Sequence, residues 1–330
     1  MQSKILRFHG TTISSSASVV GKHERRGPLG ERFDLFDKSD KFGKDTWEEA
    51  ESEMQRLAFN TALKKLPEAD RVLDVLFAGD LLNQCVGSSY GLLDFDLPYF
   101  GLYGACSTCA EGIMLASLGV SAGYFDRACA VTSSHYCSAE RQYRSPVEYG
   151  AQRSPTAQWT VTGAGAFIID KKGSIKVTEG LPGIVVEKGI CDASNMGAAM
   201  APAAADTLLR YFKASELSPS DFDLIVTGDL GIEGGSILCE LMASEGVDIR
   251  PQYNDCGAII YDAKRQDKHA GGSGCGCSAV VLSSYLCPAL KSGELKNILF
   301  IGTGAMMSPS SIQQGQAIPA VAHLLRMCKE

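Results

Sequence analysis

The sequence predicts an α/β fold built from two similar halves, and three observations support this. Apolar strand-like segments alternate with helix-like segments along the chain, a pattern typical of a parallel sheet with right-handed crossover helices. The order strand, Gly-Asp-Leu, small-residue turn, buried helix, strand occurs twice. The chain of 330 residues is long enough for two such units.

Composition excludes several classes of protein. Apolar residues make up 45% and charged residues 21%, which indicates a globular chain. A net charge of −7 with scattered lysines and arginines argues against a nucleic-acid partner. No apolar run approaches a membrane span, and the first residues lack the apolar stretch of a signal peptide. Twelve cysteines without such a signal indicate a reduced compartment.

The first half begins with a polar, turn-rich segment, 1–45, which we interpret as an extension. Periodicity then predicts a helix over 45–66 and a buried helix over 113–122. Strands are predicted over 72–78, 97–103, 128–132 and 160–169.

The second half repeats this order. Helices are predicted over 206–214 and 278–290, and strands over 224–227 and 296–301. Gly228-Asp229 echoes Gly79-Asp80, and Cys106 aligns with Gly276. The helices after Cys106 and Cys277 have few polar positions, so we expect them to pack together between two sheets. Both small-residue turns would then meet near one central site.

Cys106 lies in a turn between a predicted strand and a predicted helix. Thr108 and Glu111 have the Thr-x-x-Glu spacing of a capping box, which places the start of the helix here. The free N–H groups of a helix N-terminus stabilise negative charge, so a lowered thiol pKa and a nucleophilic role are expected. The alternative is a small buried thiol in a tight turn.

Several unusual strings occur together in this order. They are Gly27-Pro-Leu-Gly30, Ala78-Gly-Asp-Leu-Leu-Asn-Gln84, Gly104-Ala-Cys-Ser-Thr108, Thr132-Ser-Ser-His135, Ala139-Glu-Arg-Gln142, Met200-Ala-Pro-Ala-Ala-Ala-Asp-Thr207, Gly271-Gly-Ser-Gly-Cys275, Ser308-Pro309 and Ile312-Gln-Gln314. Over nearly its whole length the chain resembles the stage V sporulation protein AD family, within the thiolase superfamily.

The resemblance implies an internally duplicated, five-layer α-β-α-β-α sandwich with halves 1–172 and 173–330, and a homodimer. It implies a protein that binds dipicolinic acid (pyridine-2,6-dicarboxylic acid) or its calcium chelate. It also implies work with membrane proteins of the same sporulation operon, moving that compound into the forespore and out at germination. The expected location is peripheral, at the inner spore membrane.

The residues that thiolase-type condensation needs beside the cysteine are missing. The resemblance places a histidine near the segment 227–229, where this chain has Gly228 and Asp229. A second partner belongs in the turn 271–276, which offers Ser273, while His269 is displaced. A carboxylate at Asp229 opposes a nearby thiolate or oxyanion. We therefore expect no catalytic residues, with Cys106 as the candidate nucleophile if the protein is an enzyme.

The remaining residues suit a pocket for a small dianion. The predicted ligand-binding residues are Cys106, His135, Arg141, Arg144, Asp229 and Ser273. Backbone N–H groups of the two turns and the forked arginine side chains would bind carboxylates. No cofactor is expected, except calcium carried with the ligand and held by Asp80 or Asp229.

Each assignment has a structural alternative. His135 is also explained as a hydrogen-bonded core residue, the arginines as partners of Glu140 and Glu148, and the aspartates as turn caps. A zinc site of four cysteines is disfavoured by the Cys-x-Cys spacing at 275–277. Three functions stay open: a dipicolinate-binding protein, an acyl-transferring enzyme of the thiolase or ketoacyl-synthase type, and a structural subunit.

Overall fold

The computed structural model describes residues 4–143 and 154–329. The strands are Leu6–Arg7 (β1), Thr12–Val20 (β2), Leu35–Phe36 (β3), Val75–Gly79 (β4), Tyr99–Leu102 (β5), Ala128–Ser134 (β6), Trp159–Thr160 (β7), Gly163–Asp170 (β8), Ile175–Leu181 (β9), Leu224–Thr227 (β10), Tyr253–Asp255 (β11), Gly272–Ser273 (β12), Asn297–Ala305 (β13) and Ala320–Lys329 (β14).

The helices are Lys22–Arg25 (α1), Trp47–Lys64 (α2), Val86–Gly91 (α3), Thr108–Ala122 (α4), Tyr136–Tyr143 (α5), Met196–Ser215 (α6), Gly231–Ser244 (α7), Cys256–Ile260 (α8), Cys275–Val281 (α9), Cys287–Ser292 (α10) and Pro309–Gln313 (α11). A π-helical segment, Leu282–Leu286, joins α9 to α10. Short 3₁₀ turns connect several other elements.

The strand order shows the internal duplication. The main sheet runs β11-β10-β13-β14-β9-β2-β8-β6-β4-β5, so five strands of the first half mirror five of the second. The two half-sheets join where Thr12 and Ile13 of β2 pair with Lys176 and Ile175 of β9. The predicted boundary after residue 172 falls in the turn between β8 and β9.

The layers follow from which helix faces which half-sheet. Helix α2 packs on β2, β6 and β8, whereas α6 packs on β13, β14 and α7. Helices α4 and α9 touch each other and strands of both half-sheets, so they form the middle layer. This confirms the predicted packing of the two apolar helices between two sheets.

The segment interpreted as an N-terminal extension contains a central strand. Strand β2 pairs with β8 along its length and lies in the middle of the sheet. The sequence analysis missed this strand because its four serines lower the apolar content that a buried strand usually has. Two of their hydroxyls donate to backbone carbonyls, Ser15 to Ala62 at 2.7 Å and Ser14 to Ile168 at 3.2 Å. Hydrogen-bonded hydroxyls can be buried at little net cost.

One segment of the described residues, Ala105–Ala122, has the length and mean hydropathy of a membrane span. It corresponds to the Cys106 turn and α4, and 67% of it is buried inside the protein. Its apolar character is accounted for by its place between the half-sheets.

Candidate ligand-binding site

A strained turn positions Cys106. Strand β5 ends at Leu102, and Ala105 then adopts a left-handed backbone with φ of +52°. This conformation costs energy for a residue with a Cβ, and it turns the chain sharply into α4. Strand β13 of the other half approaches closely, since a Cβ on Gly304 would lie 2.6 Å from the Gly104 carbonyl oxygen. The turn is thus held at the junction of the halves.

The predicted capping box at Thr108 is wrong. Helix α4 begins at Thr108, its N-cap position is Ser107, and no side chain caps it. The Thr108 hydroxyl instead donates to the Ala105 carbonyl at 2.7 Å, which stabilises the 3₁₀ turn before the helix. One oxygen of the Glu111 carboxyl is buried without a hydrogen-bond partner among the described residues.

Asp229 is buried directly beside Cys106, and its carboxylate accepts hydrogen bonds from several protein donors. Its Oδ1 accepts from the Thr303 hydroxyl at 2.8 Å. Its Oδ2 accepts from the Gly274 N–H at 2.9 Å and the Ser273 hydroxyl at 3.2 Å. The Cys106 thiol lies close enough to the same carboxylate to interact with it electrostatically. Three protein donors thus occupy the carboxylate without water or a metal ion.

Burial and this neighbour together hold the thiol protonated. Burial raises the pKa of Cys106 well above its ordinary value, and the negative charge of Asp229 raises that pKa further. The expectation of a lowered thiol pKa from the helix N-terminus is therefore wrong. The opposing influence of Asp229, also expected from the sequence, is confirmed. A protonated thiol is a poor nucleophile.

Cys106 borders a cavity of about 920 Å³. One wall is the small parallel sheet of β7 and β12, which contributes Thr160 and Ser273. A second wall is the connection from β13 to β14, which includes Met306 and Ile312. Tyr103 and Tyr143, whose hydroxyls lie 3.2 Å apart, form a third. The cavity therefore has both apolar and hydrogen-bonding surfaces.

Three of the predicted ligand residues come together here, namely Cys106, Asp229 and Ser273. Ser273 lines the cavity and also donates to Asp229, so it links the pocket surface to the buried carboxylate. Asp229 lies behind Cys106 and Ser273 rather than on the cavity wall.

His135 lies outside the cavity. It is fully buried, its Nδ1 accepts from the Cys137 N–H at 3.1 Å, and its Nε2 donates to the Asp40 carbonyl at 2.8 Å. Burial lowers its pKa, consistent with a neutral ring bonded at both nitrogens. These bonds support the interpretation of His135 as a hydrogen-bonded core residue, because both ring nitrogens already have protein partners.

Arg141 also lies outside the cavity. Its side chain is 59% exposed and bonds the Glu48 carboxylate in a separate surface depression. The expectation that it joins Cys106 in one pocket is wrong, since it projects from another side of α5. Arg144 lies outside the described residues.

The glycine-rich turn does not present its N–H groups as expected. The Gly271 N–H donates to the Lys268 carbonyl, that of Gly274 to Asp229, and that of Gly276 to the Ser134 hydroxyl. These three donors are used within the protein and are therefore not available to a ligand.

Metal ligands are not assembled among the described residues. No group of three or more His, Cys, Asp or Glu side chains that could hold a metal ion occurs in them. Asp229 is saturated, as shown above, and Asp80 accepts from Leu82 N–H at 2.8 Å and from Ser88. Asp80 is thus a buried turn cap, and neither aspartate is open to calcium. His269 is exposed and paired with Asp267.

Two cavity residues escaped the sequence analysis. Gln158 Nε2 donates to the carbonyls of Asp229 at 2.7 Å and Gly272 at 2.9 Å. Glu140, in α5, is the charged side chain on the described cavity wall. Glu140 directly precedes Arg141 in α5. The rotation between successive helix residues therefore places the two side chains on different faces of the helix. Nothing in the local pattern distinguishes these positions from surface residues.

Solved structures of similar fold are condensing enzymes. OleA from Xanthomonas campestris aligns with a TM-score of 0.61 and 15% identity, covering 98% of this chain and 99% of that one. The 3-oxoacyl-[acyl-carrier-protein] synthase III from Aquifex aeolicus aligns with a TM-score of 0.57 and 12% identity, covering 96% and 99%. At this identity the similarity establishes the thiolase-like fold.

Sequence comparison gives the family. The Stage V sporulation protein AD of Bacillus subtilis (strain 168) is 42% identical over 316 residues, covering 96% of this chain and 93% of that protein. A profile of the Stage V sporulation protein AD family matches residues 2–328. The chain therefore belongs to the stage V sporulation protein AD family, and it has the fold of the thiolase-like condensing enzymes.

Proposed function

We propose that the protein binds dipicolinic acid, or its calcium chelate, in the Cys106 cavity without catalysing a reaction. In this role it supports transport of the compound into the forespore and its release at germination. The cavity is large enough for a planar ligand of about a dozen non-hydrogen atoms, and pockets of 300–1,000 Å³ are typical of small-molecule sites.

The observation that carries the proposal is the buried carboxyl of Asp229 beside the buried thiol of Cys106. A condensing enzyme needs a reactive thiolate and donors that stabilise an oxyanion. Here a buried carboxylate occupies the neighbouring position and keeps the thiol protonated. An enzyme-like pocket whose electrostatics oppose thiolate chemistry supports a binding role.

We further propose a homodimer and a membrane-protein partner from the same sporulation operon, with the protein peripheral at the inner spore membrane. Strand β5 is the end strand of the main sheet, and it carries the exposed rings of Tyr99 and Phe100. Tyr90 and Leu93, which precede it, are about 70% exposed. Within the described residues the outer edge of β5 has no strand partner, and an open edge with apolar neighbours favours pairing with another chain.

Titration calorimetry with dipicolinic acid, with and without calcium, tests the proposed function. A micromolar dissociation constant, about −8 kcal/mol, is expected in at least one condition. Cys106→Ala should weaken binding because the thiol borders the cavity, while leaving the unfolding transition in place. Absence of heat in both conditions would contradict the proposal and favour the structural role.

A second candidate is an acyltransferase that uses Cys106. The left-handed Ala105 favours it, because a strained backbone that exposes a nucleophile is a device of active-site turns. Mass spectrometry after incubation with acyl-coenzyme A distinguishes the two functions. An acyl adduct on Cys106 would support the enzyme, and its absence with intact ligand binding would support the binding protein.

A further inference from the structure

One wall of the cavity is attached to the first half through a buried carboxyl that the proposed function does not use. The wall strand β12, Gly272–Ser273, is preceded by residues 261–271, which we call the wall segment. Its first residue, Tyr261, is buried, and the Tyr261 hydroxyl donates to Oε1 of Glu24 in α1. The wall segment belongs to the second half, so this hydrogen bond connects the two halves.

The other end of the wall segment leads directly into the cavity wall. The Gly271 carbonyl accepts from the Trp159 N–H at 2.9 Å. Two residues further on, the Ser273 carbonyl accepts from the Val161 N–H at 2.8 Å. The Ser273 hydroxyl donates to Asp229 at 3.2 Å. Movement of the wall segment would therefore displace residues that line the cavity and contact the buried carboxylate beside the cysteine.

The surroundings of Glu24 favour its protonated form. Its Oε1 accepts from the Tyr261 hydroxyl and from the Thr162 N–H at 3.1 Å. Its Oε2 is buried and has no hydrogen-bond partner among the described residues. A buried carboxylate is costly unless its oxygens are fully hydrogen-bonded. Burial raises the pKa of Glu24 to about 7, and the negative charge of Asp40 contributes.

Asp40 is the neighbouring carboxyl, and it has a cationic partner. Its Oδ1 accepts from the Lys22 N–H at 2.7 Å, and its Oδ2 lies 3.2 Å from Lys22 Nζ. A Cβ on Gly21 would lie 2.5 Å from Asp40 Oδ1 and 2.9 Å from Glu24 Oε2, so the two carboxyls flank the same glycine. Two carboxyls that share a site resist simultaneous ionisation. Because Lys22 pairs with Asp40, Glu24 is the one that holds a proton.

Glu24 is also the group of this neighbourhood that titrates near neutral pH. The other charged and titratable groups around the two carboxyls are Lys22, His23, Arg26, His135, Cys137, Tyr261, Lys268 and Cys277. Burial lowers the pKa of both histidines. Burial raises the pKa of the tyrosine and of both cysteines. Between pH 6 and pH 8 the main change of charge here is therefore the ionisation of Glu24.

We infer that Glu24 is a proton-dependent positioning residue, which holds the wall segment on the first half while its carboxyl is neutral and releases it on ionisation. Opening of the segment lets water reach the carboxylate, whose hydration drives the change. The open form has the ordinary pKa of 4.5 and the closed form a pKa of about 7. Closure is thus favoured at acidic pH and weakens as pH rises from about 4.5 through 7. The inference does not depend on which ligand the cavity binds.

Hydrogen–deuterium exchange of the whole protein tests this inference. Protection factors, corrected for the intrinsic effect of pH on exchange, are measured at pH 6 and pH 8 for peptides that cover the wall segment. We expect protection of this segment to fall by about tenfold between the two pH values through local opening. Unchanged protection would overturn the inference. It would also be overturned if urea accelerated exchange in the wall segment as steeply as in β14, because that dependence indicates global unfolding.

A matched pair of variants assigns the pH dependence to one carboxyl. Glu24→Gln keeps an acceptor for the Tyr261 hydroxyl but cannot ionise, so its wall segment should lose about tenfold less protection than the wild type between pH 6 and pH 8. Glu31→Gln is the control, because the Glu31 side chain is 89% exposed in the same region of the chain. The control should behave like the wild type. If Glu24→Gln also behaves like the wild type, the assignment of Glu24 is wrong.

Removal of the tyrosine hydroxyl gives a second test that leaves Glu24 in place. Tyr261→Phe should lower the protection of the wall segment at pH 6 by about fivefold, because it removes the hydrogen bond between the halves. The hydroxyl stabilises the ionised carboxyl, so its loss should also move the midpoint of the pH profile to higher pH. Lower protection with an unchanged midpoint would show a purely structural contact and would contradict the proton-dependent role.

Discussion

Two aspartates at equivalent strand ends, Asp80 after β4 and Asp229 after β10, have different surroundings. Asp80 accepts from the Leu82 N–H and from the N–H and hydroxyl of Ser88. Asp229 accepts from Ser273, Gly274 and Thr303, and it lies beside the Cys106 thiol. In the first half the carboxylate stabilises a turn, and in the second it sets the protonation of the site.

In the second half a different residue stabilises the equivalent turn. Asp255, at the end of β11, accepts from the Leu230 N–H at 2.8 Å and the Gly231 N–H at 2.9 Å. This frees Asp229 to face the cysteine across the junction of the halves. The duplication thus supplies the scaffold, and the departure from symmetry creates the site.

The largest expected effect comes from removing the carboxylate that faces the thiol. Asp229→Ala should lower the free energy of unfolding by about 3 kcal/mol, because it leaves several buried donors without an acceptor. Chemical denaturation measures this. The exposed Asp126→Ala is the control and should change stability by less than about 0.5 kcal/mol. A comparably small effect at Asp229 would mean that its hydrogen bonds are dispensable.

A smaller effect concerns the carboxyl near Asp80. Burial raises the pKa of Glu51 to about 8, and the charge of Asp80 contributes. The folded protein then holds a proton that the unfolded chain releases near the ordinary value of 4.5. The resulting stabilisation is present at acidic pH and is lost as pH rises from about 4.5 through 8.

Glu51→Gln should remove this dependence. Between pH 6 and pH 8 the wild type should lose about 2 kcal/mol more stability than the variant, at about 1.4 kcal/mol per pH unit. Denaturation curves at both pH values measure the difference. Parallel pH profiles for the two proteins would show that Glu51 is already ionised at pH 6.

The reactivity of the Cys106 thiol distinguishes the roles of Asp229 and Asp80 most directly. Asp229→Asn removes the negative charge beside Cys106, so its pKa should fall and alkylation by iodoacetamide should accelerate by about tenfold. Peptide mass spectrometry follows Cys106 apart from the exposed Cys191. Asp80→Asn is the matched control and should leave the Cys106 rate unchanged. Equal rates in both variants would refute the protective role of Asp229.

The smallest expected effect is at Arg141. Its bond to Glu48 is solvent-exposed, and such ion pairs contribute about 0–1 kcal/mol. Arg141→Ala should therefore change neither stability nor ligand affinity by more than about fivefold in the equilibrium constant. A strong loss of dipicolinate binding in calorimetry would show that Arg141 reaches the ligand after all.

The sequence predicted the elements whose pattern is local. Strand β10 has the predicted bounds 224–227, and the two central helices lie where their uniformly apolar stretches indicated. Strand β2 was missed because its serines are satisfied by distant carbonyls, which no local pattern reveals. The Gly-Asp repeat marks equivalent strand ends, and the second of these ends places Asp229 beside Cys106.

The remaining site residues depended on side-chain direction. Glu140 and Arg141 are neighbours in sequence, yet one lines the cavity and the other bonds Glu48 of α2. The same applies to His135, whose partner carbonyl at Asp40 is far away in sequence. A residue's distance in sequence from a strand end indicates whether it lies near a site. Tertiary packing determines which face of a short helix lines that site.

The protonated state of Cys106 has a consequence for chemical durability. Oxidation of cysteine to sulfenic and higher acids proceeds through the thiolate, so its rate follows the thiolate fraction and the exposure of sulfur. A thiol that is 6% exposed and lies beside a buried carboxyl has little of either. Burial and the Asp229 contact thus give this pocket a cysteine that resists oxidation.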